Sequence, residues 1–100
     1  MAKMSTYIAG CNHKPGASAR LLILPNGQHL ELKREPENKF DKNAAAVYHG
    51  GLHLGYVPAV DSPAVAKVMD SGLIATAVLM KLIASTGMLI RWNSGENDNG

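Results

Sequence analysis

The chain has 100 residues, a net charge of +2 with neutral histidines, and 46% hydrophobic residues. This length holds one folded domain with a single core. The one cysteine excludes an internal disulfide, and the weak positive charge permits a nucleic-acid partner while excluding the dense positive field of a histone-like protein. Because only five residues are aromatic, the core must be built mainly from aliphatic residues and methionine.

The first elements along the chain are a strand, a loop and a short helical segment. Residues 4–9 are apolar and rich in β-formers, which predicts a strand. Glycines and a proline punctuate the loop over residues 10–16. Residues 17–24 form an apolar run that fits a helix or a strand. We expect a short helical turn there, ended by the turn residues Pro25-Asn26-Gly27.

Three strands are predicted in the middle of the chain. Residues 29–33 alternate apolar and polar side chains, and Pro36 cannot donate to a sheet, so this strand ends before it. Residues 44–48 and 52–57 predict two further strands. Glycines in the turn at residues 49–51 can adopt positive φ, so these two strands are the best candidate for a hairpin.

The C-terminal third begins with a helix signal. Ser62 is a natural N-cap, Pro63 suits the first helical position, and Gly72 is placed to end the helix. Residues 73–84 and 88–92 are predicted to form the last pair of strands, although the alanines leave a helix open.

The fold class that follows is mainly β (α+β), a small antiparallel β-barrel of about six strands with one or two flanking helices. This domain is expected to span residues 1–92, and the polar residues 93–100 are expected to form a disordered tail. No apolar stretch reaches the roughly 18–20 residues of a membrane-spanning helix, and no signal-type apolar run follows Lys3. A cytoplasmic location is therefore expected.

Charge, turn residues and an aromatic are concentrated in the segment between the strands at 29–33 and 44–48. Asn38 and Asp41 are typical of turns in which the side chain binds local backbone amides. Phe40 lies between them, where it can either stack on a base or tuck the loop onto the barrel. Such loops on a rigid sheet are frequent binding sites.

The continuous stretch from Arg34 to Tyr48, followed by Leu54-Gly55-Tyr56-Val57-Pro58, resembles the HIRAN domain. The resemblance runs from about Tyr7 to about Gly72. This family consists of small β-rich modules at the front of some Swi/Snf-type DNA translocases and of short free-standing bacterial proteins. The resemblance implies a compact barrel with flanking helices and a pocket for the 3′ end of single-stranded DNA.

The resemblance also implies roles for three residues of the charged loop. In the family, the aromatic stacks on the terminal base and the Asp accepts a hydrogen bond from the free 3′-hydroxyl. The matching positions are Asn38, Phe40 and Asp41, with Phe where Tyr is common. A 3′-phosphate would place negative charge against Asp41 and should be rejected.

The second half of the pocket would come from the loop at residues 10–14. Asn12 and His13 stand where translocase members carry a basic residue and an aromatic, and Lys14 follows. His13 can still stack on a base and Lys14 can bind a phosphate, although His13 is equally understood as an ordinary loop histidine.

Two further positions have competing interpretations. Arg34 can bind a phosphate oxygen or pair with an acid of its own segment, for which Glu35, Glu37 and Asp41 are the candidates. Tyr56 falls by alternation on the same face as Leu52 and Leu54, which favours the core over a pocket wall. The complete set predicted to bind nucleic acid is Asn12, His13, Lys14, Arg34, Asn38, Phe40, Asp41, Lys42 and Tyr56.

Metal binding and catalysis find little support in the sequence. His49 and His53 lie four residues apart, but on a predicted hairpin and not on a helix face, and a lone cysteine does not fit a structural zinc site. We expect no metal, no cofactor and no catalytic residues. The ATPase motor of larger HIRAN-containing proteins has no counterpart in this sequence.

The functional prediction is a non-enzymatic module that recognises single-stranded DNA, preferably at a free 3′-hydroxyl end, in DNA repair or processing. A separate helicase or nuclease protein is a further expected partner, and no membrane partner is expected. Two alternatives stay open. One is a protein-interaction module that has lost the DNA site and carries an apolar surface patch, for which the five methionines are candidates. The other is a small metal-dependent nuclease built on the acidic loop.

Overall fold

The computed structural model describes residues 2–81 and 86–93. Within them, six strands and two α-helices confirm the predicted fold class. In chain order the elements are β1 (Ala2–Tyr7), a 3-10 turn (Cys11–His13), α1 (Ala17–Ile23), β2 (His29–Arg34), β3 (Ala45–His49), β4 (Leu52–Tyr56), α2 (Ser62–Asp70), β5 (Ala75–Lys81) and β6 (Thr86–Trp92).

The strands form one antiparallel sheet in the order β1-β6-β5-β2-β3-β4. Its two edge strands, β1 and β4, are connected by a bridge just beyond the end of β1. The N–H of Ala9 donates to the carbonyl oxygen of Tyr56 at 2.8 Å, and the N–H of Tyr56 donates back at 2.9 Å. The sheet therefore curves until its edges meet at one residue pair, without the continuous ladder of a closed barrel.

Gly55 makes this meeting of edges possible. A Cβ atom at this position would lie 2.4 Å from the carbonyl oxygen of Ala9 and 2.8 Å from Cγ2 of Ile8, and the backbone has φ +155°. Both conditions exclude a side chain, so the glycine allows the backbone of the chain after β1 to cross β4 closely.

A bulge in β4 changes the direction of Tyr56. Val47 pairs with Gly55 and the next residue, Tyr48, pairs with His53, so Leu54 is an extra residue without a partner of its own. Leu54 faces the core, but the bulge reverses the alternation beyond it. The expectation that Tyr56 shares the face of Leu54 is wrong, because its ring packs on that of His53 on the opposite face, with centroids 4.9 Å apart.

The predicted turn and both predicted helices are confirmed, but the second helix begins one residue earlier than expected. Gly50 and Gly51 have φ of 55° and 84°, as the tight turn of the β3–β4 hairpin requires. The segment at 17–24 is helical, as expected. The second helix ends before Gly72, whose φ is +91°, but Ser62 is its first residue and not its N-cap. Asp61 occupies the cap position and its carboxylate accepts a hydrogen bond from Thr6 at 2.6 Å.

The core is aliphatic and lies inside the curved sheet, between it and the two helices. The largest fully buried apolar side chains are Val47, Leu54, Val65, Leu79, Met88 and Ile90. β5 and β6 confirm the last pair of strands, while the predicted extension to residue 84 and most of the predicted tail lie outside the described residues. No helix in the described part of the chain is long and apolar enough to cross a membrane.

Replacing Gly55 by alanine is expected to destabilise the domain by at least about 2 kcal/mol, because the new methyl group overlaps the backbone of Ala9 in an already strained conformation. Urea unfolding monitored by Trp92 fluorescence would measure the change. Gly27→Ala is the matched control. Gly27 has φ +85° with open space around it, so its substitution should cost only about 1 kcal/mol of backbone strain. Equal effects in the two variants would contradict the close-approach role of Gly55.

Candidate nucleic-acid interface

A concavity of about 650 Å³ lies beside the bridge between Ala9 and Tyr56. The 3-10 turn and the loop between β2 and β3, residues 35–44, provide its other walls. Six of the nine predicted site residues line it, from three separate parts of the chain: His13, Lys14, Asn38, Phe40, Asp41 and Tyr56. Small apolar residues complete its surface: Ala9, Ala44, Val57 and Ala59.

The β2–β3 loop is held in shape by its own polar side chains. Oδ1 of Asn38 accepts hydrogen bonds from the amides of Phe40 at 2.8 Å and Asp41 at 3.1 Å. Oδ1 of Asp41 accepts in turn from the amide of Asn43 at 2.8 Å. The turn-forming interpretation of Asn38 and Asp41 is therefore confirmed, and the same turns set the direction of the Phe40 side chain.

Phe40 is 96% exposed although it is the largest apolar residue of the loop. The alternative in which it tucks the loop onto the barrel is therefore wrong. Its ring lines the concavity from the loop side, so at least one aromatic face is open to a ligand. An aromatic that is held in water on a hydrogen-bonded loop is a preformed stacking surface.

The carboxylate of Asp41 is anchored on both oxygens. Oδ2 accepts a hydrogen bond of 2.6 Å from the hydroxyl of Ser62 at the start of α2, while Oδ1 is held by the backbone of Asn43. A carboxylate has about four acceptor positions, so each oxygen keeps room for a further donor. Asp41 is half-buried and also lines the concavity.

Glu35 connects two of the residues that line the concavity, Asn38 and Tyr56. Its Oε1 accepts hydrogen bonds from the hydroxyl of Tyr56 at 2.9 Å and from the side-chain amide of Asn38 at 3.1 Å. Nζ of Lys14 lies 5.3 Å from the centroid of the Tyr56 ring, within cation–π range. His53 packs its edge against the same ring. Tyr56 is thus a pocket wall whose hydroxyl is already bound.

These contacts shift two pKa values. Burial acts to raise the pKa of Glu35, but the hydrogen bonds from Asn38 and Tyr56, with the charges of His53 and Lys14, outweigh it. The pKa of Glu35 therefore lies below its ordinary value of 4.5. Burial, followed by the hydrogen bond to Glu35, raises the pKa of Tyr56 above its ordinary value of 10.0.

Arg34 lies outside the residues that line the concavity. Its Nε and Nη2 donate to the two carboxylate oxygens of Asp70, each at 2.9 Å. Its Nη1 donates to the carbonyl oxygens of Lys42 at 3.1 Å and Ala44 at 2.9 Å. The hydrogen bond between Arg34 and Asp70 raises the pKa of the guanidinium and lowers that of the carboxyl. The acid that pairs with Arg34 is thus not one of the three expected neighbours.

Two other predicted residues lie apart from the concavity. Asn12 lines an adjoining hollow between the 3-10 turn and α1, which shares His13 and Lys14 with the concavity. Lys42 is exposed and contributes only its carbonyl oxygen, to Arg34. Sequence reasoning missed Lys39, which lines the concavity beside Phe40. Its position next to the exposed aromatic was the only signal available.

The two histidines that were weighed as metal ligands make separate contacts. The ring of His49 is 2.9 Å from Nη1 of Arg20, whereas the ring of His53 stacks on that of Tyr48 with centroids 4.7 Å apart. Across residues 2–81 and 86–93, no three His, Cys, Asp or Glu side chains form a group that could hold a metal ion.

The lowered pKa of Glu35 gives a pH test. Because its folded-state pKa is depressed, the ionised carboxylate contributes stability above its unfolded pKa, and this contribution is lost as pH falls through the lower folded value. The free energy of unfolding of the wild type should therefore fall more steeply with acidification than that of Glu35→Gln. Glu37→Gln removes an exposed carboxylate of the same loop and is the control. Parallel pH curves for wild type and Glu35→Gln would refute this account.

The chain is similar to known proteins in sequence and in fold. The family model of the HIRAN domain matches residues 2–90. No curated protein matches the chain. Among solved structures, a protein from Lactobacillus plantarum has 25% sequence identity and a TM-score of 0.77, over 92% of this chain and 97% of that one.

Two structures of the HIRAN domain of human HLTF share the fold. The crystal structure has 22% identity and a TM-score of 0.75, over 91% of this chain and 74% of that one. The NMR structure has 21% identity and a TM-score of 0.62, over 94% and 77%. Because the family model covers most of the sequence, this chain belongs to the HIRAN domain family.

Proposed function

We propose that this HIRAN domain is a non-enzymatic module that binds single-stranded DNA at a free 3′-hydroxyl end. One observation carries the proposal: the exposed ring of Phe40 and the anchored carboxylate of Asp41 lie side by side on the same concavity. A terminal nucleotide needs those two groups, a flat apolar face for its base and an acceptor for its hydroxyl.

Phe40 is the stacking surface in this proposal. Its loop is ordered by the hydrogen bonds of Asn38, so binding does not have to freeze the loop first. Every base has an aromatic face, and stacking therefore tolerates any terminal base. His13 lines the same concavity and offers a second ring.

Asp41 supplies end selectivity. Its carboxylate accepts a hydrogen bond from a free hydroxyl, a charge-assisted contact, but would repel a terminal phosphate. The side chain is already held by Ser62 and Asn43, which keeps the oxygens in place while a ligand enters.

The backbone phosphates have two cations available along the concavity, Lys14 and Lys39. With about two such contacts, the logarithm of the binding constant should change with the logarithm of salt concentration by a slope of about −1 to −2. Affinity is therefore modest, and base stacking has to supply a large share of it.

The methionine-rich surface expected of a protein-interaction module is not formed by the described residues. Met88 is buried, and Met4 and Met69 pack against the core, which leaves Met80 at the edge of exposure. This arrangement speaks against the methionine-rich form of that surface, while other apolar side chains, Leu22 and Ile23 among them, are 81% and 76% exposed. The acids near the concavity have positional roles, since Glu35 binds Tyr56 and Asp41 binds Ser62, and the proposal assigns no catalytic step to them.

Wild-type protein should bind a fluorescent single-stranded oligonucleotide with a 3′-hydroxyl at least about tenfold more tightly than the same strand with a 3′-phosphate, because Asp41 accepts from one and repels the other. Fluorescence anisotropy at low salt would measure both dissociation constants. In Asp41→Asn the preference should shrink to about twofold or less, since the repelling charge is gone. Equal binding of both strands by the wild type would overturn 3′-end recognition.

Phe40→Ala should weaken binding of the 3′-hydroxyl strand by about 1–3 kcal/mol, the usual contribution of one stacked base. Its stability should stay within about 0.5 kcal/mol of wild type, since the ring is exposed. Ile74→Ala removes a comparably exposed apolar side chain that does not line the concavity and is the matched control. An unchanged dissociation constant in Phe40→Ala would rule out Phe40 as the stacking surface.

A further inference from the structure

We propose that α2 is the positioning element of this site and that it holds the β2–β3 loop at two points. Ser62 at the start of the helix holds the carboxylate of Asp41, and Asp70 at its end holds Arg34, which in turn holds the exit of the loop. The effect on DNA selectivity rests on the proposed function, whereas the effect on the loop itself does not.

The contact at the start of the helix is short and partly buried. Ser62 is 0% exposed, and its hydroxyl donates to Oδ2 of Asp41 at 2.6 Å, with the carbonyl oxygen of Ala59 at 3.3 Å as a weaker alternative acceptor. Hydrogen bonds to a charged acceptor are the stronger kind, and the donor of this one, the Ser62 hydroxyl, is itself buried. Ser62 therefore sets which lone pairs of Asp41 remain free to face the concavity.

The contact at the end of the helix is a bidentate ion pair between Arg34 and Asp70. The guanidinium of Arg34 binds both oxygens of Asp70 with one edge, and with Nη1 it binds two carbonyl oxygens at the exit of the loop. This uses the planar geometry of Arg, which Lys cannot reproduce. Arg34 is thereby a positioning residue that acts through Lys42 and Ala44, and it is not a phosphate contact.

The two contacts reinforce each other because one rigid helix carries both. Val65 and Ala66 bury the middle of α2 in the core, so its two ends cannot move independently. The loop is therefore held by Ser62 at Asp41 and by Arg34 at its exit. The segment around Phe40 lies between these two contacts and the turn that Asn38 forms.

Ser62→Ala tests the first anchor through selectivity. The variant removes one hydroxyl and should lower the preference for a 3′-hydroxyl over a 3′-phosphate at least threefold, because Asp41 loses its fixed orientation. The same substitution in an Asp41→Asn background should change that preference no further, since Ser62 acts through Asp41. Additive effects in the double variant, or an unchanged preference in the single one, would overturn this role of Ser62.

Asp70→Asn tests the contact between Asp70 and Arg34, because the two possible roles of Arg34 predict opposite changes in DNA affinity. If Arg34 positions the loop, weakening its partner loosens the loop and DNA affinity falls severalfold with an unchanged salt slope. If Arg34 were a phosphate contact, releasing it would raise affinity and steepen the salt slope. The side chain of Asp70 is 57% exposed, so the variant is expected to fold, and Lys67→Ala on the exposed face of the same helix is the control.

Hydrogen exchange of the protein without DNA separates the two proposals. The amides of Asn43 and Ala44 should exchange at least tenfold faster in Ser62→Ala and Asp70→Asn, while amides of β5 and β6 stay unchanged. Unchanged exchange in both variants would overturn the positioning role whether or not the protein binds DNA. Faster exchange, with a wild type that binds neither DNA strand, would support the positioning role and refute the proposed function alone.

Discussion

The close crossing of the chain after β1 over β4 is the constraint on which the site depends. Two hydrogen bonds between Ala9 and Tyr56 connect the edges of a sheet that is otherwise open at this place, and they require a residue without a side chain at Gly55. Because the 3-10 turn follows Ala9 directly, the same crossing brings His13 and Lys14 opposite the β2–β3 loop. Without the crossing, the two halves of the concavity would belong to separate edges of the sheet.

The bulge at Leu54 is a second feature of β4 on which the site depends. It lets one short strand place Leu54 in the core and then turn Tyr56 towards the concavity and His53. The hydroxyl of Tyr56 then meets Glu35 at the start of the β2–β3 loop. A single irregular strand thereby serves the core, the bridge and the pocket wall, which is a typical use of a β-bulge near a functional surface.

Among the residues that the structure describes, the charged side chains that line the concavity are one carboxylate, Asp41, and two lysines, Lys14 and Lys39. In the proposed function, Asp41 accepts from the terminal hydroxyl, and Lys14 and Lys39 bind the phosphates. The overall charge of +2 is too small to attract DNA by long-range fields alone. Under the proposed function, selectivity therefore has to come from local geometry, which the contacts of α2 with Asp41 and Arg34 hold in place.

Local signals in the sequence determined much of this protein. The strand alternation, the Gly50-Gly51 turn, the stop at Gly72 and the turns of Asn38 and Asp41 all depend on residues within a few positions of each other, and each was predictable. The tertiary structure alone decided three matters: the facing of Tyr56, the pairing of Arg34 with Asp70, and the membership of Lys39 in the concavity. The reason is physical. Secondary-structure propensity and hydrophobic periodicity depend on residues that are close in sequence. A bulge, a salt bridge between residues 36 positions apart and a shared cavity depend on how distant segments pack.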